Sequence, residues 1–168
     1  MSNYKIDGKT LKWVEDFLTN RRMRVNVRGS RSDWKDVISG VPQGSVLGPL
    51  LFLIYVNDIP DKIKTSIRLF ADDTKIWNTI RNQQDADELQ RDLDQLQRWS
   101  DEWLLKFNAQ KCKVMHVGHD MKTSYYLQEN GAPVILQQTT EERDLGLIMT
   151  SNLKPARQCM AAVNKARS

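Results

Sequence analysis

The chain is poor in cysteine and histidine and has no long apolar run. Its 168 residues include two cysteines, Cys112 and Cys159, and two histidines, His116 and His119. Two thiols exclude a disulfide framework and any cysteine-based zinc cluster. Two histidines are too few to build a metal site unaided, and they read as surface or strand-end residues. The longest apolar run, Val46–Val56, is eleven residues long and is interrupted by Gly48 and Pro49. A membrane-spanning helix needs about 20 apolar residues, so this run reads as a buried core element and no membrane partner is expected. The opening residues Met-Ser-Asn-Tyr-Lys are polar, unlike a signal peptide. The expectation is an intracellular protein with reduced thiols, its compartment (nucleus or cytoplasm) left open. No internal repeat, linker or low-complexity stretch is visible.

What is present is an ordinary globular composition, 40% hydrophobic and 27% charged, which argues against wholesale disorder. The length suits one domain with a real core. A net charge of +4 permits a polyanionic partner without demanding one.

Leu11, Val14 and Leu18 recur at helical spacing, with Trp13 and Phe17 beside them, so Lys9–Asn20 reads as a short amphipathic helix. Arg24–Arg28 then alternates polar and apolar, and Trp34–Ile38 follows Gly29-Ser30. This predicts a β-hairpin with a loop of about five residues around Gly29–Asp33. Arg21, Arg22, Arg24, Arg28, Arg31 and Lys35 face only Asp33 in this stretch. Such a face is either a solvated hairpin or a contact to a phosphate backbone. Ser39–Pro49 holds three glycines and two prolines, a loop whose backbone a ligand can approach closely. The apolar run after it predicts a helix capped by Ser45 or Gly48, with Pro49 in its first turn.

Ile67–Phe70 and Lys75–Trp77 predict two short strands around Ala71-Asp72-Asp73-Thr74, a hairpin with carboxylates at its tip. Gln84–Leu105 predicts a helix with Leu89, Leu93, Leu96, Trp99 and Trp103 as its apolar stripe and Asp85, Asp87 and Glu88 in its first turn. With Asp92, Asp94, Asp101 and Glu102 those acids outnumber Arg91 and Arg98, so the outer face reads as acidic and unsuited to nucleic acid. Phe107–Cys112 predicts a turn leading into a strand at Lys113–Val117. Asn130-Gly131 predicts a hairpin between Tyr125–Leu127 and Val134–Leu136. Leu145–Met149 reads as a last strand and Ala156–Ala166 as a weak helix.

Paired aspartates on a rigid turn suit phosphoryl transfer, where positioning and divalent cations do most of the work. Mg²⁺ takes hard oxygen ligands and keeps several waters, and two such ions can activate the attacking oxygen and stabilise the leaving one. Adjacent acids taken alone are more often a solvated turn.

Longer motifs decide between these readings. Ser39-Gly40-Val41-Pro42-Gln43-Gly44-Ser45-Val46-Leu47-Gly48-Pro49-Leu50-Leu51-Phe52 resembles motif B of the reverse transcriptases of jockey-like non-LTR retrotransposons. Phe70-Ala71-Asp72-Asp73 resembles their motif C, Phe107-Asn108-Ala109-Gln110-Lys111-Cys112 their motif D, and Asp144-Leu145-Gly146-Leu147 their motif E strand. The order and spacing match across nearly all of the chain. The resemblance implies an RNA-directed DNA polymerase with an RNA template, a DNA primer and deoxynucleoside triphosphates as partners, and Mg²⁺ or alternatively Mn²⁺ as cofactor; the oligomeric state stays open. It makes Asp72 a metal ligand and Asp73 a second, weaker or indirect one. It sets Lys111 near the triphosphate as a proton donor or electrostatic stabiliser. Pro42, Gln43 and Gly44 would lie under the template base and incoming nucleotide, and Ser45 on the template backbone. Ala71 would leave room beside the metal site. Arg21, Arg22, Arg24 and Arg28 become template-primer contacts, and Leu145–Leu147 part of the grip on the primer end.

The fold implied is α+β: a partial polymerase palm, with an antiparallel sheet carrying the catalytic Asp-Asp hairpin, backed by helices Leu50–Val56 and Gln84–Leu105. Residues 1–150 would be the palm from motif B to motif E, and 151–168 the start of the thumb or connection. Motif A, with a metal-bridging aspartate, and the fingers precede such a segment in this family. The expectation is therefore a truncated fragment that begins after motif A at an internal methionine and is inactive alone. Its sheet would lack a central member and expose apolar edges. The alternative is a catalytically inactive nucleic-acid-binding remnant or a transcribed relic.

Overall fold

A computed structural model describes residues 4–118 and 122–167; His119 lies outside these. The chain divides into two units, Met1–Asp58 and Ile59–Ser168.

The first unit opens with α1 (Gly8–Leu18), in which Val14 is buried and Trp13 stacks on Phe17. Both the N–H and the hydroxyl of Thr19 donate to the Glu15 carbonyl and close the helix. The hairpin that follows has two ladders. β1 (Arg21–Met23) pairs antiparallel with β4 (Lys35–Val37), and β2 (Asn26–Val27) with β3 (Ser30–Arg31). Its turn is shorter than the predicted loop around Gly29–Asp33. Arg28 and Gly29 alone connect β2 to β3, at φ +49° and +89°, the left-handed pair that a type I′ turn requires. An arginine in the slot usually taken by Asn or Asp hides that turn from a reading of the sequence.

α2 (Leu47–Val56) follows the glycine loop. The Ser45 hydroxyl donates to the Pro42 carbonyl and accepts from the Gly48 N–H. It thus does the capping work one residue ahead of the N-cap position, Val46. Gly48, the other predicted cap, lies inside the helix and is buried.

The second unit begins with a 3-10 turn at Pro60–Lys62. β5 (Ser66–Phe70) and β6 (Asp73–Trp77) pair antiparallel. α3 (Gln83–Glu102) is capped by Asn82, whose side chain accepts from the Asp85 N–H, while the Asp85 carboxylate accepts from the Arg81 N–H. This is a capping-box arrangement displaced by one residue. Ala109, Tyr125, Leu127 and Leu136 form a buried cluster, against which Leu89 and Leu93 of α3 pack. β7 (Lys113–Met115) pairs in parallel with β10 (Gln137–Thr139), and β8 (Tyr126–Glu129) antiparallel with β9 (Ala132–Ile135) around the expected Asn130-Gly131 turn. β11 (Glu141–Asp144) pairs with β12 (Leu147–Thr150), and α4 (Ala156–Arg167) ends the described chain.

Two expectations change. Among the described residues the strands form six two-stranded pairings, one of them parallel, instead of one antiparallel sheet; every antiparallel ladder is short and joins just two strands. Leu145-Gly146, read as the start of a strand, is instead a turn at φ +46° and +88° between β11 and β12. Large apolar side chains do stand exposed, Ile38, Leu104 and Ile135 among them. No helix among the described residues is long and apolar enough to cross a membrane.

Candidate functional site

The carboxylates Asp72 and Asp73 sit at the end of the β5–β6 ladder. Phe70 pairs with Asp73, so Ala71 and Asp72 alone make the connection and Asp73 takes the first ladder position. Both acids are exposed. Ala71 holds φ +51°, a left-handed conformation that costs a residue with a Cβ roughly 1–2 kcal/mol. A positive φ at the first turn position favours glycine, so the turn carries strain beside its two acids.

Polar tethers hold this hairpin. Asp92 of α3 is 4% exposed, and its Oδ2 accepts the backbone N–H of Lys64 at 3.0 Å and of Thr65 at 2.7 Å, fixing the entry to β5. Asp92 is therefore not part of an acidic outer face, as its composition-based grouping implied. It lies three residues after Leu89 and four before Leu96, in register with the apolar stripe, and that register is the signal for its burial. Further along, Lys75 of β6 forms an ion pair with Asp144 at the end of β11. The tip carrying Asp72 and Asp73 is thereby linked to the β11–β12 hairpin. Arg68 lies over the Trp77 ring, 5.8 Å from its centroid.

Two adjacent carboxylates supply the hard oxygen donors that Mg²⁺ or Mn²⁺ prefers. Among the described residues no group of three or more His, Cys, Asp or Glu could enclose a metal ion, so the pair fits as part of a ligand set. His116 is engaged with Thr123, whose hydroxyl lies 3.0 Å from its Nε2.

Lys111 belongs to a turn that Asn108 organises. The Lys111 N–H reaches both the side-chain and the backbone oxygen of Asn108, and the Cys112 N–H reaches the backbone one. Ala109, 2% exposed, pins the turn into the core cluster. Lys111 itself is exposed. Burial pushes the Cys112 thiol above its ordinary pKa, against an opposing pull from Lys113.

Pro42, Gln43, Gly44 and Ser45 belong to the first unit. The Pro42 carbonyl accepts from both the backbone and the hydroxyl of Ser45, and Gly44 holds φ +80° with Gln43 exposed beside it. A Cβ on Gly48 would lie 3.0 Å from the Pro42 oxygen and from Ser45 Oγ, so any larger residue there would have to push the loop outward by a few tenths of an ångström.

The four arginines divide. Arg21 donates to the carbonyls of Leu18, Ser39 and Gly40, tying the end of α1 to the glycine loop, a structural commitment that the sequence did not signal. Arg22 pairs with Asp36 across the ladder at 3.4 Å. Arg22 and Arg24 both lie over the Trp34 ring, at 5.6 and 4.5 Å. Arg28 is exposed at the turn. Trp34, 47% exposed with two guanidinium groups near its ring, is a surface feature the sequence reading passed over, although an aromatic in a basic strand is a recognisable cue.

Comparison with known proteins accounts for this set of motifs. The profile of the reverse transcriptase (RNA-dependent DNA polymerase) family matches residues 1–155. The RNA-directed DNA polymerase from mobile element jockey of Drosophila melanogaster is 37% identical over 108 residues, 59% of this chain and 12% of that protein. Its counterpart in Drosophila funebris is 32% identical over 149 residues, 83% of this chain and 16% of that one. The probable RNA-directed DNA polymerase from transposon BS of Drosophila melanogaster is 33% identical, again over 83% of this chain and 16% of the relative. The chain thus spans less than a fifth of the length of these relatives. No solved structure gives a significant match. A match over residues 1–155, with glycine loop, Asp-Asp turn and lysine turn in one order, is more than short motifs yield by chance: the chain belongs to the reverse transcriptase (RNA-dependent DNA polymerase) family, of the jockey-like kind.

Proposed function

We propose that the chain is the part of a retrotransposon RNA-directed DNA polymerase that carries an Asp-Asp metal-binding turn and the nucleotide-facing loop. Asp72 and Asp73 are its metal ligands, and a bound Mg²⁺ or Mn²⁺ would supply charge stabilisation at the transferring phosphoryl group. Lys111 neutralises or protonates the departing pyrophosphate, which an exposed ammonium on a fixed turn is free to do. Gln43 and Gly44 meet the template base and incoming nucleotide, with Pro42 and Ser45 shaping the loop and Ala71 keeping the metal side open. Residues 1–150 act as the palm and 151–168 as the start of the thumb or connection. Arg22, Arg24 and Arg28 contact the RNA template and DNA primer, while Arg21 holds the loop in place. The observation that carries this reading is the pair of exposed carboxylates at a two-residue turn, within a segment that matches the family from residue 1 to 155.

Two carboxylates bind a divalent ion weakly without further ligands, so the 168-residue chain is expected to be inactive alone. Primer extension on poly(rA)/oligo(dT) with Mg²⁺ or Mn²⁺ tests this: robust incorporation that disappears in Asp72→Ala would overturn the inactivity. Grafted in place of the matching segment of the jockey polymerase, the chain should support extension. Asp72→Asn should then lower the rate by about a thousandfold, the several kcal/mol that a catalytic metal supplies. An active graft indifferent to Asp72→Asn and Asp73→Asn would refute the assignment. The second reading, a nucleic-acid-binding remnant, rests on the exposed Trp34 with the Arg22 and Arg24 guanidinium groups at its ring. It requires salt-dependent binding without any activity in the graft.

A further inference from the structure

α3 looks acidic in sequence, yet one of its flanks is basic. Arg91, Gln95 and Arg98 follow one another at helical spacing, and across from them the 3-10 turn and its exit bring Lys62 and Lys64. Together with Glu88 and Asp92 these residues line a cleft of about 350 Å³ inside the second unit. Four cations thus face two acids. One of the acids, Asp92, is buried and already accepts two backbone N–H groups. Among the described residues none of Lys62, Lys64, Arg91 or Arg98 is in an ion pair. Arg98 is steadied by a hydrogen bond to Gln95. The cleft is built, not incidental: Asp92 fixes the backbone at Lys64, and the Lys62 N–H bonds the Ile59 carbonyl in the 3-10 turn.

We infer that this cleft binds the sugar-phosphate backbone of a nucleic-acid strand, at a site separate from the Asp72–Asp73 turn. Guanidinium groups match phosphate oxygens in a bidentate fork, and lysines add point charge. Uncompensated cations gathered on two facing elements favour a repeating anion over a single small one. The site goes beyond the polymerase reading and is tested by binding alone, so a failed primer extension leaves it standing.

The test uses the 168-residue chain and a labelled single-stranded RNA oligonucleotide, with affinity measured by fluorescence anisotropy across a salt series. Each phosphate contact to a single strand contributes about 0.7 to the slope of log affinity against log salt, or about fivefold in affinity at 0.1 M. Arg91→Gln/Arg98→Gln should therefore weaken binding by up to about 25-fold and flatten the slope by about 1.4. Glutamine keeps helix propensity, and circular dichroism checks the fold. Lys62→Gln/Lys64→Gln, off the helix, should act in the same direction, while Arg91→Lys/Arg98→Lys should keep the slope. Unchanged affinity and slope in both glutamine variants would overturn the proposal. So would displacement of the RNA by inorganic phosphate beyond the effect of matched sodium chloride, which assigns the cleft to a free anion. Polyglutamate binding as tight as RNA would overturn it in favour of an acidic protein partner.

Discussion

Replacing Asp92 should loosen the hairpin that carries the proposed metal ligands, although residue 92 lies in a helix and touches neither aspartate in any described contact. Its Oδ2 accepts two backbone N–H groups, from Lys64 and Thr65, in a setting where the side chain is 4% exposed. Hydrogen bonds to a charged partner contribute about 1.5–3 kcal/mol each, which brackets the loss in Asp92→Ala at roughly 3–6 kcal/mol. Lys64 is exposed, so its freed N–H finds water, whereas Thr65 is half-buried and keeps more of its penalty. The expected loss is therefore near the lower bound, about 3 kcal/mol. Asp92→Asn retains an acceptor oxygen but exchanges charged for neutral bonds, which should cost about 1–2 kcal/mol. Urea unfolding gives the two stability losses. Native-state hydrogen exchange at Lys64, Thr65 and the β5 amides shows whether the opening is local to the hairpin entry. A loss below about 1 kcal/mol in Asp92→Ala, or exchange at β5 unchanged, would refute the claim that this carboxylate anchors the strand.

Two further outcomes follow from the same geometry. Ala71→Gly should relieve the left-handed strain at φ +51° and stabilise the β5–β6 turn by up to about 1 kcal/mol, read as slower amide exchange in the hairpin; faster exchange would show that the alanine is not strained. The Arg157 guanidinium grips both oxygens of Glu141 and holds its carboxyl below the ordinary glutamate pKa. A carboxyl lowered in the folded state adds stability that is full above the unfolded value of about 4.3 and is lost as pH falls through the folded value. Exchange protection of α4 should accordingly fall below about pH 4 in the native chain, and Arg157→Gln should remove that pH dependence.

What could be read from the sequence was local. Asn130-Gly131 announces its hairpin because both residues tolerate positive φ, and the leucine spacing announces α3 because the apolar stripe repeats at its own period. Turns at Arg28-Gly29 and Leu145-Gly146 have the same geometry but carry residues that do not advertise it, and Leu145 was drawn into a strand by its apolar neighbours. The parallel pairing of β7 with β10 joins Lys113 to Gln137, a contact set by where the intervening β8–β9 hairpin folds, and no short window contains that information. For the site, Asp72, Asp73 and Lys111 are proposed through motifs, where the family's chemistry ties residue type to spacing. Asp92, Trp34 and the Lys75–Asp144 pair were missed because their roles depend on what faces them.

That division bears on how the Asp72–Asp73 tip is positioned. Apolar burial contributes little near it: Phe70 is 61% and Trp77 47% exposed, while Ile67 is the one buried residue of the ladder. A two-stranded ribbon with so little core is marginal alone. Its geometry must then come from the polar tethers, Asp92 at the entry to β5 and Asp144 on Lys75 of β6. The first is buried and short, so it resists salt, whereas the second is part-exposed and screened by salt. Raising ionic strength should free the β6 side of the hairpin before the β5 side. The turn that carries the two carboxylates is thus placed by one firm and one yielding contact, so its β5 side is held more tightly than its β6 side.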